Sequence, residues 1–90
     1  MIIKTREEAK QELEKNVTLA NKMEMYVVTI FRKDLITEEV YSIRMFSDDL
    51  AELYNWTTIR ENNAISLGIP CYAYLGKGLQ FKTGDFNFKD

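Results

Sequence analysis

The spacing of the apolar residues changes along this chain, and that change confines it to a mixed helix-and-sheet domain. Ala9, Leu13, Val17, Ala20 and Met23 fall within about 120° of one another on a helical wheel. Over residues 39–46 the spacing switches to strict alternation, with Tyr41, Ile43 and Met45 on one side and Val40, Ser42, Arg44 and Phe46 on the other. A second alternating stretch, residues 71–75 and 79–83, is folded about Gly76-Lys77-Gly78.

Boundary residues mark where each pattern starts and stops. Thr5-Arg6-Glu7-Glu8 is a capping box, in which the Glu8 amide donates to the Thr5 hydroxyl and the Thr5 amide to the Glu8 carboxylate. The stripe behind it is thin, with two alanines, and suits light docking on a flat sheet. Residues 26–31 are β-branched and aromatic and predict the first long strand. Residues 32–38 make a polar connection, and residues 39–46 return as the antiparallel partner. Leu35 and Ile36 fall at the tip of this hairpin and are expected to fold back onto the domain's edge. Ser47-Asp48-Asp49 supplies a cap and two carboxylates for the next helix, whose buried stripe reads Leu50, Leu53 and Tyr54. Thr58-Ile59-Arg60-Glu61 is a second capping box and predicts a new helix after a bend near Trp56-Thr57. Gly68 suits a left-handed helix end, Ile69 packs back and Pro70 prevents continuation.

In the last third, a three-residue loop sets Leu75 opposite Leu79, Ala73 opposite Phe81 and Cys71 opposite Thr83. Those pairs form one apolar face and leave Tyr72, Tyr74, Gln80 and Lys82 on the other. A two-residue loop mixes the faces. Gly84-Asp85 then turns the chain into a last short strand over residues 86–89. The fold expected is one α+β domain over residues 1–90. It has an antiparallel sheet of about four to five strands, an N-terminal helix, and one or two central helices packed on one face.

Residues 57–90 also resemble the small winged-helix DNA readers of the excisionase type. The helix ending in Leu67-Gly68-Ile69 would precede a recognition helix over residues 72–77 and a wing over residues 82–88. That resemblance implies a DNA-binding regulator. The sequence departs from the pattern in leaving only Pro70 and Cys71 for the turn, and in offering no Arg, Asn or Gln to base edges over residues 72–77.

The chemical inventory is narrow. The 90 residues include no histidine and one cysteine, Cys71. His-dependent triads, Cys–His dyads and His-containing zinc sites are therefore excluded, as are an intrachain disulfide and thiolate clusters. Cys71 reads as a small buried hydrophobe in a reducing compartment. Met1-Ile2-Ile3-Lys4 turns polar at once and no apolar run reaches membrane length, so the expected location is cytoplasmic. Asp48, Asp49 and Glu52 lie within one turn and have the chemistry to hold a hard cation. Acids at a helix start are already explained by the helix dipole. No metal, no cofactor and no catalytic residue are expected.

Charge is the functional lead. Residues 1–33 carry seven basic and five acidic side chains, residues 34–61 two and seven, and residues 62–90 three and two. The middle third is thus expected to present an acidic surface, with Asp48, Glu52 and Asn55 clustered and Trp56 at the margin. Acids rimming an aromatic ring suit docking on a basic partner. Asp48, Asp49, Glu52, Trp56, Tyr72 and Tyr74 are the candidate partner-binding residues. The function expected is a non-enzymatic protein-binding module, a small regulator or inhibitor of a larger basic protein, itself a nucleic-acid binder in one version of this reading. Compact proteins of this kind are frequent among viral and mobile-element regulators. The alternative is a nucleic-acid-binding regulator that stacks bases on Tyr72 and Tyr74 beside Lys82. A net charge of −2 makes nucleic acid the less favoured ligand. A carboxylate-dependent metal enzyme ranks last. Exposed edge strands favour a homodimer.

Overall fold

In the computed structural model, which describes residues 2–76 and the backbone of 79–83, the first capping box forms as its sequence predicts. The Glu8 amide donates to Thr5 Oγ1 and the Thr5 amide to Glu8 Oε1, both at 3.1 Å. Helix α1 (Arg6–Met23) follows and ends at Glu24, whose φ of 56° is left-handed. The chain then enters the long hairpin β2 (Tyr26–Lys33) and β3 (Val40–Ser47). Helix α2 (Leu50–Leu67) leads on to β4 (Cys71–Leu75) and β5 (Leu79–Thr83). A two-residue strand before α1, β1 (Ile2–Ile3), pairs with the start of β3. The five strands lie in the order β1-β3-β2-β4-β5, each antiparallel to its neighbours. The α+β class and the antiparallel sheet are as expected.

Strand β2 is the axis of the molecule, and every residue from Val27 to Phe31 is buried. A strand buried on both faces reads as a continuous apolar run, which is how residues 26–31 read. Val28 and Ile30 point to one face, where they meet Leu53, Ala64, Cys71 and Ala73. Phe31 points to the other and meets Ile3 and Ala9. Fully burying a side chain such as Ile30, Phe31 or Leu53 contributes about 1.5–3 kcal/mol.

The two helices therefore lie on opposite faces of the sheet, not on one face as expected. Chain direction supplies the reason. β1 and β2 run parallel with β3 between them; β3 and β4 run parallel with β2 between them. Both connections step across the sheet in the same sense, but the second pair of strands points the other way. Crossovers between parallel strands are right-handed, so reversing the strands moves the helix to the opposite face.

Three further expectations are corrected. α2 is one continuous helix through residues 56–61, so the second capping box does not open a new one. Buried Thr57 satisfies its hydroxyl by donating to the Leu53 carbonyl at 2.7 Å, a back-bond that keeps the residue inside the helix. Leu53, Thr57 and Ala64 then share one buried face, and a break between them would unpack it. Tyr54, by contrast, is exposed. The winged-helix arrangement fails because Cys71–Leu75 is a strand paired with β2 rather than a recognition helix. Gly68 takes its predicted left-handed φ, 68°, and the Ile69 amide donates back to the Ala64 carbonyl at 2.8 Å.

The β4–β5 register is the predicted one, with Leu75 opposite Leu79, Ala73 opposite Phe81 and Cys71 opposite Thr83. Lys77 and Gly78 of the loop, and the strand expected over residues 86–89, lie outside the described residues. Among the described residues no helix is long and apolar enough to cross a membrane.

Candidate functional site

The α2 acids are engaged in starting the helix. Asp49 is the N-cap, and its Oδ1 accepts from the amides of Ala51 at 3.0 Å and Glu52 at 3.4 Å. Buried Ser47 donates its hydroxyl to Glu52 Oε2 and accepts from the Asp49 amide, each at 3.0 Å. Asp48 is exposed beside them. Among the described residues no three metal-ligating groups converge. Trp56 is half-buried against the α2-side core, and the Arg60 guanidinium lies 4.9 Å from its ring centre. Its ring is packed between core and cation.

The six candidate residues do not form one surface. Tyr72 pairs across the sheet with Phe31 and Tyr74 with Thr29, which puts both tyrosines on the α1 face. Asp48, Asp49, Glu52 and Trp56 belong to the opposite side. The acidic middle third is itself divided. Asp34, Glu38 and Glu39 sit at the hairpin tip before β3, and Asp48, Asp49 and Glu52 follow its far end. Eight strand residues separate the two groups, roughly 26 Å at about 3.3 Å per residue.

The tip holds a fixed shape. Asp34 Oδ1 accepts from the Ile36 amide at 2.8 Å and the Thr37 amide at 3.0 Å. The Asp34 amide donates to the Glu39 carbonyl, and the Glu38 amide to the Asp34 carbonyl, both at 2.8 Å. Glu38 closes the turn with a left-handed φ of 61°. The amides of Thr37 and Ile36 hold the Asp34 carboxyl below its ordinary pKa, because they stabilise the charged form. Leu35 and Ile36 do not fold back as expected: they are 56% and 94% exposed. The sequence did contain a signal for this, since Asp34-Leu35-Ile36-Thr37 has the side-chain-to-amide turn pattern of aspartate and leaves its central residues pointing outward.

The α1 face carries features that apolar spacing did not reveal. Besides Ala9 and Ala20, the buried positions of α1 are Glu12 and Asn16, whereas Met23 is exposed. Asn16 Nδ2 donates to Thr29 Oγ1 at 2.8 Å, and Arg44 Nη1 donates to Asn16 Oδ1 at 2.7 Å. α1 packs mainly on β1 and β2, whereas α2 reaches from β3 to β5. Beside α1 and over β4 lies an open groove of about 340 Å³, lined by Arg6, Ala9, Lys10, Leu13, Phe31, Tyr72 and Tyr74. Tyr74 meets the buried Phe31 ring edge-on, with centroids 5.7 Å apart. Burial, with Tyr72 nearby, pushes the Tyr74 phenol above its ordinary pKa, so it stays a neutral hydrogen-bond donor.

Compared with protein-family models, curated proteins and solved structures, the chain matches none.

Proposed function

We propose that this protein is a non-enzymatic protein-binding module, a small regulator or inhibitor that docks by its β2–β3 tip on a larger basic protein. The observation that carries the reading is Ile36, 94% exposed at the summit of a turn locked by Asp34. Burying such a side chain is worth about 1.5–3 kcal/mol, and a contact with a partner recovers it. A preformed turn also reduces the entropy lost on binding. Asp34, Glu38 and Glu39 flank the two apolar residues and supply the charge that steers a basic surface toward them. The acids of α2 are left with a structural role in this reading.

The test compares Ile36→Ser and the pair Glu38→Gln, Glu39→Gln with the wild-type protein against a basic protein captured by the latter. Ile36→Ser is expected to weaken binding roughly tenfold or more through faster dissociation, with the melting temperature unchanged. The paired amide variant is expected to slow association at low salt. Undiminished binding by Ile36→Ser would remove the tip from the interface and the reading with it.

A further inference from the structure

One edge of the sheet is covered for only part of its length. Among the described residues β1 pairs with Val40 and Tyr41 and goes no further along β3. The bond at the hairpin tip fixes which β3 groups face outward. The Asp34 amide donates to the Glu39 carbonyl, so in the antiparallel register Tyr41, Ile43, Met45 and Ser47 are the residues that bond to β2. The other side of β2 agrees. There the Lys33 amide donates to the Pro70 carbonyl and the Gly76 amide to the Val27 carbonyl, which leaves the even-numbered residues of β2 for β3. Arg44 and Phe46 therefore turn their backbone N–H and C=O groups away from β2, past the end of the β1 pairing. The usual guards of an edge are missing over residues 43–47. The β2–β3 register runs on without a bulge, the stretch holds no proline or lysine, and Asn16 holds the Arg44 side chain on the α1 face.

We propose that this edge pairs with the same edge of a second copy of the chain, β3 against β3 in antiparallel sense about a two-fold axis at Met45. Arg44 then lies opposite Phe46 of the second copy, and Phe46 opposite its Arg44. Both residues face outward, so each of these pairs exchanges two main-chain hydrogen bonds. Space selects a copy of this strand over a longer extended peptide. A long strand laid along residues 43–47 runs into β1, whereas β3 leaves the sheet after Ser47 to start α2 and turns away first. The side chains match as well. On the α2 face Met45 meets Met45 of the second copy and Ile43 meets its Ser47, which carries the half-buried rim of the apolar core across the axis. On the α1 face the Arg44 guanidinium, 5.4 Å from the Phe46 ring of its own chain, gains Phe46 of the second copy as its cross-strand neighbour. No like charges stand opposite one another in this register. The pairing uses neither the hairpin tip nor its acids and stands independently of the docking reading.

The experiment follows the full chain by sedimentation equilibrium, which should show a monomer–dimer equilibrium. In the ¹⁵N-labelled dimer, hydrogen exchange at the Arg44 and Phe46 amides should be roughly tenfold slower than in the monomer, with smaller changes at Ile43 and Met45, which already bond to β2. Phe46→Pro removes an outward amide without breaking a bond to β2 and should weaken the dimer roughly tenfold or more. Met45→Cys should form a disulfide-linked dimer on oxidation, because directly opposed side chains of a non-hydrogen-bonded pair come within disulfide reach. Ile43→Cys, opposite Ser47, should not, and native Cys71 is fully buried. If Phe46→Pro fails to fold, the two cysteine variants decide. The proposal is overturned by a monomer at every concentration, by an undiminished dimer of folded Phe46→Pro, by Arg44 and Phe46 amides that exchange as fast in the dimer as in the monomer, or by equal cross-linking of the two cysteine variants.

Discussion

The two faces of the sheet are built from different materials. On the α2 face Val28, Ile30, Leu53, Ala64, Cys71 and Ala73 close into a buried apolar cluster, with Ile43, Met45 and Leu75 around it. On the α1 face Ile3, Ala9 and Phe31 form a smaller cluster, Ala20 and Val27 are buried apart from it, and buried Glu12, Asn16 and Thr29 bring polar groups into the same layer. Among the described residues the α2 face has the larger connected apolar cluster. The other trades burial for hydrogen bonds and an open groove.

The comparison predicts a graded series of effects. The largest should come from Leu53→Ala, which empties a fully buried position on the α2 face. A loss of about 2–5 kcal/mol in urea unfolding is expected, and a loss under 1 kcal/mol would show that the two faces do not differ as described. Next is Asn16→Ala on the α1 face, which leaves the Thr29 hydroxyl and an Arg44 donor without their partner. It should cost about 1–3 kcal/mol, and a double-mutant cycle with Thr29→Val should return a coupling of roughly 0.5 kcal/mol or more.

Glu12→Met should move stability the other way. Glu12 is 5% exposed, its Oε2 has no hydrogen-bond partner among the described residues, and Lys15 Nζ stands 3.9 Å away. An apolar side chain of similar length and helix propensity should gain about 1 kcal/mol, the desolvation cost that the carboxylate incurs. Destabilisation instead would mean that the carboxylate contributes to the α1 contact.

The smallest effect should be that of Glu61→Gln on α2. Burial raises the Glu61 carboxyl above its ordinary pKa, so the native state binds this proton more readily than the unfolded chain does. The stability that protonation brings is present below the unfolded value, near 4.5, and is lost as pH rises through the raised native one. Glu61→Gln should therefore stabilise at pH 7 by a few tenths of a kcal/mol at most, since the group is largely solvated, and the gain should vanish at acid pH. Thermal melts at the two pH values measure it.

What could be read from the sequence was local. The Thr5–Glu8 box, the Gly68 helix end and the β4–β5 register each depend on residues a few positions apart, and each formed as read. The second box, at Thr58 and Glu61, has the same local signature and did not form. Long-range burial of Leu53, Thr57 and Ala64 on a common face outweighed it. Asn16 and Glu12 were missed because apolar spacing identifies a buried face only where that face is apolar. The candidate site fared worse. Asp49 and Glu52 were correctly placed at a helix start, but the grouping of six residues required tertiary proximity that sequence neighbourhood does not supply. Arg6 and Lys10 join Tyr72 and Tyr74 across more than 60 positions in the chain.

The sequence by itself determined most of the elements, the caps at Thr5 and Asp49, the pairing within each hairpin and the α+β class, because hydrogen bonds between near neighbours and alternating side chains settle these. Tertiary structure alone decided how β1 and the two hairpins are ordered in the sheet. Once β3 was inserted between β1 and β2, and β2 between β3 and β4, the handedness of the two crossovers sent α1 and α2 to opposite faces. That separation placed the acids of α2 on one side of the sheet and the tyrosines of β4 on the other. It also left α1 covering only part of its face, with the groove beside it. The local code carries no record of that arrangement, because the handedness rule acts on the order of strands in space and not on any run of residues.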